Sequence, residues 1–172
     1  KDPEKVADAI IHHADVRRML LTQKAVAEGG RAMIYHAAQL ADKMNDALMR
    51  GDTAAFEAHD DHLGFYTPIL KGFLTELGYE AANHGMQVYG GHGYIKEWGM
   101  EQIVRDSRIS TLYEGTTGVQ ALDLIGRKVL LSSKGKVIRD YTAEILKFCG
   151  QHARNKYMRR FAWDLTKVCA QW

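Results

Sequence analysis

Apolar or small residues recur every third or fourth position from Val16 to Leu48, the spacing of one face of an α-helix. The pattern is sustained over about nine helical turns. Only two prolines, Pro3 and Pro68, interrupt the chain, and no Asn-Gly or Asp-Gly hairpin signal lies between alternating apolar residues. We therefore predict an all-α fold, an up-and-down bundle of five or six helices with four of them long.

Capping residues and helix breakers predict where the helices begin and end. Asp15 favours the start of the first long helix, and Gly51 its end. The expected limits of the next two helices are Thr53 to about Leu63, with Thr53 as the cap, and Thr67-Pro68 to the Gly90-Gly91 pair.

Three further helices are predicted in the second half of the chain. The first opens at Thr116 or Thr117, whose hydroxyl can cap a helix. The other two are recognised by apolar stripes, at Val137, Tyr141, Ile145 and Phe148 and then at Phe161, Leu165, Val168 and Trp172.

Composition limits the function classes. The 172 residues are 46% apolar with a net charge of +2, which predicts one globular domain over residues 1–172 with no nucleic-acid partner. Two cysteines without a CxxC motif favour a reduced, cytoplasmic setting, and no apolar run is long enough for a membrane span. Because the chain starts at Lys1 without Met, we expect a piece of a longer protein.

One cluster has the composition of a metal site. His59 and His62 share a helix face, with Asp60 and Asp61 between them. Zinc needs a third or fourth ligand from elsewhere, and solvated charges near a helix end explain the same residues. We predict no metal site.

The segment from Gln87 to Gln120 departs from helical patterning and concentrates glycines, aromatic residues and charges. Its GGHG sequence follows a helix rather than a strand, which excludes a Rossmann fingerprint. Glu114, taken alone, fits a solvated loop carboxylate. Arg105, Asp106 and Arg108 are expected to form a local salt-bridge set.

The three motifs QVYGGHGY, RDSRI and YEGTTGVQ, in this order and at this spacing, resemble the C-terminal helical domain of the flavin-dependent acyl-CoA dehydrogenase family. The preceding helices and the segment GTTGVQALDLIGRKVL are most similar to the long bacterial branch that includes the 3-methylmercaptopropionyl-CoA dehydrogenases. The resemblance covers most of the chain.

The resemblance implies α,β-dehydrogenation of an acyl-CoA thioester with FAD as hydride acceptor. Glu114 matches the catalytic base that removes the α-proton. Tyr113 and Gly115 are expected to line the substrate pocket. Residues expected to contact FAD are Thr116 and Gln120 and, for the FAD of a neighbouring subunit, Gln87, Gly90 and Gly91.

A flavin site shared between subunits implies a homo-oligomer, dimer or tetramer, with an unidentified electron-transfer partner. Arg105 and Asp106 match a pair expected to hold the loop before Glu114. The family also uses two domains that this sequence lacks, so we expect an excised C-terminal part that is inactive alone.

Three alternatives remain open. An alkylation-response-type relative that binds flavin and DNA is disfavoured by YEGT, since such relatives read WEGS, and by the lack of a dense basic patch. An acyl-CoA oxidase would share the base. A non-catalytic helical assembly module would form an oligomer indifferent to FAD.

Overall fold

The computed structural model describes residues 3–4 and 6–171, and the regular structure in this part of the chain is entirely helical. The all-α prediction is confirmed. Six α-helices follow one another: α1 (Ala14–Arg50), α2 (Thr53–Val88), α3 (Met100–Ile109), α4 (Thr117–Leu122), α5 (Lys136–His152) and α6 (Arg159–Cys169). Short 3-10 helices span Ile10–His12, Gly90–Tyr94 and Lys96–Trp98, and a π-helix spans Asp123–Ser132.

Helices α1 and α2 form an antiparallel hairpin, because residues late in α1 contact residues early in α2. The contacting pairs are His36 with Tyr66, Gly30 with Leu74, and Gln23 with Gly85. The face of α1 that lies in the core carries Met19, Gly30, Ala37, Leu40 and Ala47. The small residues among them, Gly30, Ala37 and Ala47, let the two helices approach closely.

The link between α1 and α2 is short and satisfies the backbone at both helix ends. Gly51 adopts φ 71° and the Asp52 N–H donates to the Ala47 carbonyl, a glycine-based stop that uses a free carbonyl of the last turn. The Asp52 carboxylate accepts a hydrogen bond from the Ala55 N–H at 3.0 Å. Asp52 therefore caps α2, and the prediction of Thr53 as the cap is wrong, because Thr53 is the first residue of the helix.

The predicted break near residues 63–67 is wrong, since α2 continues through it with Pro68 inside the helix. Proline removes one backbone hydrogen bond and crowds the preceding turn, at a cost of about 3 kcal/mol. The neighbouring residues offset this cost by packing: Phe65 is buried, and the Tyr66 ring meets the His36 ring of α1 edge-on at 5.0 Å. Tertiary packing thus outweighs the local signal.

The segment after α2 turns sharply at its glycines. Helix α2 ends at Val88, and Gly90 has φ 60°, as the Gly90-Gly91 stop predicts. Gly93 is buried, and a Cβ there would lie 2.3 Å from the Met86 carbonyl oxygen. The chain then forms α3, a helix that the apolar pattern does not predict.

The chain divides into two compact units, residues 1–124 and 125–172. The first contains α1 to α4, with α2 in contact with each of the other three helices. No described helix combines the length and apolar character that a bilayer span requires.

In the second unit, α5 packs against α6 and buries Val137, Cys149, Ala162 and Cys169. Both cysteines are free. The stripe predicted as the core face of α6 is wrong, because Phe161, Leu165 and Val168 are exposed while Ala162 and Cys169 are buried. The smaller side chains allow closer helix packing. Trp172 lies outside the described residues.

Candidate active site

The loop between α3 and α4 presents Glu114 in an uncommon backbone conformation. Glu114 has φ 55° and Gly115 has φ 92°, so two successive residues lie at positive φ. Positive φ strains Glu114 because it has a Cβ, whereas Gly115 adopts such an angle readily. The Glu114 side chain is exposed. The loop therefore displays one carboxylate on a sharply turned backbone.

Gln120 closes this turn from the first helical turns of α4. Its Nε2 donates to the Glu114 carbonyl oxygen at 3.0 Å. The amide passes so close to Gly115 that a Cβ there would lie 2.7 Å from Nε2. The backbone angle favours glycine at position 115, and a Cβ there would also displace the Gln120 amide.

Helix α2 contacts the loop on both sides. The Lys71 ammonium donates to the Ser110 carbonyl at 2.8 Å and lies 5.7 Å from the centre of the Tyr113 ring. After the loop, the Thr117 hydroxyl donates to the Glu76 carboxylate at 2.6 Å. The helix predicted to open at Thr116 or Thr117 begins at Thr117, but the Thr116 hydroxyl before it makes no capping hydrogen bond.

The predicted salt-bridge set is wrong for the described residues. Asp106 accepts a hydrogen bond from Gln102 at 2.7 Å, and Arg108 contacts the buried Thr111 hydroxyl. Residues one or two apart on a helix do not face each other, so Asp106 cannot readily pair with Arg105 or Arg108. Arg105 and Asp106 make no hydrogen bond to the Glu114 loop; Lys71 and Arg108 contact it instead.

Several polar groups at this loop have no partner among the described residues. The Glu114 backbone N–H takes part in none of the backbone hydrogen bonds there. The Thr116 side chain caps no backbone group of α4 and is exposed. Such groups can receive hydrogen bonds from, or donate them to, a ligand with many polar atoms.

Gln87, Gly90 and Gly91 lie at or just after the C-terminal end of α2, whereas the loop contacts the middle of this helix. Gln87 follows Glu76 by eleven residues, or about 16 Å along a helix. All three are exposed, and a Cβ on either glycine would meet no atom within 4 Å. The predicted site residues thus form two separate groups, one at the Glu114 loop and one at the end of α2.

A cavity of about 850 Å³ lies among α2, the short helices after it, and α3. Charged residues in its lining include Lys96, Glu101, Arg105 and Asp106. None of the residues predicted to bind substrate or FAD lines it. The described residues also contain no group of three or more His, Cys, Asp or Glu arranged to hold a metal.

Comparison with known families decides the assignment. The model of the acyl-CoA dehydrogenase C-terminal domain matches residues 1–130. The chain belongs to this acyl-CoA dehydrogenase family.

Curated relatives of this acyl-CoA dehydrogenase domain include three bacterial enzymes. The 3-methylmercaptopropionyl-CoA dehydrogenase of Ruegeria pomeroyi is 46% identical over 70% of this chain and 20% of its own length. The broad-specificity linear acyl-CoA dehydrogenase FadE5 of Mycobacterium tuberculosis is 36% identical over 85% of this chain and 23% of its own. A butyryl-CoA dehydrogenase of Syntrophomonas wolfei is 32% identical over 94% and 26%.

The chain therefore spans about a fifth to a quarter of the length of these relatives. Their names differ in the acyl group, from methylmercaptopropionyl to butyryl to a broad range of linear chains. The shared name is acyl-CoA dehydrogenase.

Within this acyl-CoA dehydrogenase domain, the sequence pattern does not single out Lys71 or Glu76. They are five residues apart on α2, whereas side chains on the same helix face are three or four residues apart. The one signal in the sequence is the position of Lys71 beside the apolar stripe at Leu70 and Leu74, where a charge needs a partner from another element.

Proposed function

We propose that this chain is the helical C-terminal domain of an FAD-dependent acyl-CoA dehydrogenase in which Glu114 is the catalytic base. The observation that carries the proposal is the exposed Glu114 carboxylate on a loop fixed at positive φ and flanked by Tyr113 and Gly115. Family membership supports the reaction class.

Glu114 removes the α-proton of the acyl thioester. This proton is a weak acid, so its removal needs a base within hydrogen-bond reach and a polarised thioester carbonyl. The carboxylate of Glu114 serves as the base. Its own backbone N–H, which is free among the described residues, donates to the thioester oxygen. Tyr113 and Gly115 line the acyl thioester.

The polar groups around the loop fit a flavin cofactor. Thr116 and Gln120 contact FAD beside Glu114, and the exposed hydroxyl of Thr116 is available for this. When bound, FAD accepts the hydride equivalent from the β-carbon. Gln87, Gly90 and Gly91 offer an open backbone surface to the adenosine-diphosphate part of a second FAD.

The family resemblance implies a flavin site that is shared between subunits. The two groups of residues lie about 16 Å apart along α2, so they fit different ends of a cofactor. Each FAD is then held by the loop of one subunit and the α2 end of its neighbour, in a homodimer or homotetramer. Reoxidation of the cofactor would require a separate electron-transfer partner.

The experiment is Glu114→Gln in the full-length protein that carries this sequence. Glutamine keeps the side-chain shape and removes the base, so turnover falls by about two to four orders of magnitude while FAD stays bound. Turnover is measured with an acyl-CoA and an artificial electron acceptor, and FAD content by absorbance.

Glu97→Gln is the matched control, since Glu97 is also exposed and lies outside the loop. It should leave turnover unchanged. Full activity of Glu114→Gln contradicts the assignment of the base. A full-length protein that never binds FAD but forms a stable oligomer supports the assembly-module alternative instead.

A further inference from the structure

The loop that carries Glu114 is attached to α2 at its start by a lysine. The Lys71 ammonium donates to the Ser110 carbonyl at 2.8 Å, in a partly buried bond between residues 39 positions apart in the chain. The same ammonium lies 5.7 Å from the centre of the Tyr113 ring. A cation bound to a carbonyl and to an aromatic face is held by two directional contacts. Lys71 therefore orders the backbone immediately before Glu114.

Glu76 attaches the other side of the loop. Its carboxylate accepts a hydrogen bond of 2.6 Å from the Thr117 hydroxyl, at the first residue of α4. Gly72 faces α4, and a Cβ there would make an ordinary van der Waals contact with the Gln120 Cβ at 3.5 Å.

Together these contacts hold both ends of a six-residue segment, residues 111–116. Lys71 and Glu76 are about 7.5 Å apart along α2, so one rigid helix sets the positions of both ends. Glu114 lies within the segment and has φ 55°, a conformation that persists only where the surroundings impose it.

We propose that Lys71 is a positioning residue that fixes the Glu114 carboxylate for proton removal, with Glu76 holding the opposite end of the loop. This rests on the proposed function, in which Glu114 is the base. Lys71 acts through Ser110 and Tyr113 and does not touch the reacting atoms.

The proposal predicts a loss in proton removal rather than in binding or folding. A base displaced by about 1 Å loses on the order of 100-fold in rate. Lys71→Met keeps the aliphatic stem and removes the donor and the charge. We expect kcat to fall by about 10- to 100-fold, with KM, FAD content and Tm unchanged. Lys71→Arg restores most of the loss, because guanidinium also donates to carbonyls and stacks on aromatic rings.

The decisive measurement reports removal of the α-proton by the base, separately from desaturation. An acyl-CoA that has α-hydrogens but no hydrogen on the β-carbon cannot be desaturated, yet its α-hydrogen can exchange with D₂O. Mass spectrometry of the recovered thioester reports the exchange rate on the full-length holoenzyme. Glu114→Gln should abolish exchange, and Lys71→Met should slow it by the same factor as kcat. Lys147→Met, an exposed lysine on α5, is the matched control and should exchange at the wild-type rate.

The outcomes separate the two proposals. Exchange at the wild-type rate in Lys71→Met, with none in Glu114→Gln, overturns the positioning role and leaves the proposed function standing. Undiminished exchange in Glu114→Gln overturns the proposed function whatever Lys71 does. Loss of FAD or a lowered Tm in Lys71→Met, without rescue by arginine, assigns Lys71 a structural role and overturns the proposal.

Discussion

At the scale of single residues, backbone conformation decides which positions accept a side chain. Glu114 is one of two residues other than glycine with positive φ in the described chain, the other being Lys134. Such a conformation costs roughly 1–2 kcal/mol for a residue with a Cβ. Strain of this kind concentrates at functional sites, where surrounding contacts maintain it. Here Gln120 donates to the carbonyl of Glu114 itself, and Lys71 donates to the carbonyl of Ser110, four residues earlier.

Gly93 illustrates a second constraint, the approach of one backbone to another. A Cβ at position 93 would lie 2.3 Å from the Met86 carbonyl oxygen, whereas one at Gly91 would meet nothing within 4 Å. We expect Gly93→Ala to lower the free energy of unfolding by about 1–3 kcal/mol, because the turn after α2 must shift. Gly91→Ala is the control and should change it far less. Chemical denaturation of the 172-residue chain measures both, and equal values for the two variants contradict this reading of the turn.

At the scale of helices, two glycines in and just after α1 both have open space around them but differ in backbone angle. Gly29 lies within α1, and Gly51 follows its end at φ 71°. Gly29→Ala should stabilise the chain by about 0.5–1 kcal/mol, since alanine loses less entropy in a helix. Gly51→Ala should destabilise it by roughly 1–2 kcal/mol, because an L-residue is strained at that angle. Thermal unfolding followed by circular dichroism checks both, and shifts of the same sign disprove the argument.

That a helix exists could be predicted from the sequence better than where it begins and ends or which of its faces is buried. The stripe in α1 predicts a long helix because its period is sustained over many turns. Pro68 predicts a break that α2 does not have, since packing of Phe65 and Tyr66 depends on α1, a distant segment. The face of α6 is mispredicted because Ala162 and Cys169 allow closer packing than Phe161.

The residues of the candidate site also differ in whether the sequence alone could identify them. The motif around Glu114 could be found from its sequence because its residues are contiguous. Lys71 could not, because its partner Ser110 is 39 residues away and no local pattern links them.

At the scale of the whole molecule, the average charge conceals an uneven distribution. Residues 125–172 carry 11 Lys and Arg against 3 Asp and Glu, a net charge of +8. Residues 1–124 carry 12 against 18, a net charge of −6. The overall value of +2 therefore describes neither unit. Attraction to a charged partner depends on the net charge of each unit separately.

The exposure of the site predicts how the chain behaves alone. Glu114, Thr116 and Gln87 are all exposed, so within the described residues nothing encloses a thioester or excludes water there. We expect the purified chain to fold but to show no acyl-CoA turnover with added FAD and an artificial acceptor. Circular dichroism checks the fold, and dye reduction checks turnover. Turnover that Glu114→Gln abolishes would show that the chain needs no further domain.

The continuity of α2 has a mechanical consequence. Lys71 and Gln87 are sixteen residues apart on this helix, about 24 Å, and no proline lies between them. Under the proposed function, the middle of α2 supports the base of one site and its C-terminal end contacts the cofactor of the adjacent subunit. If α2 moves as a rigid body, a shift along its axis near Lys71 also moves Gln87. A change in the position of one base would therefore be transmitted to the neighbouring flavin.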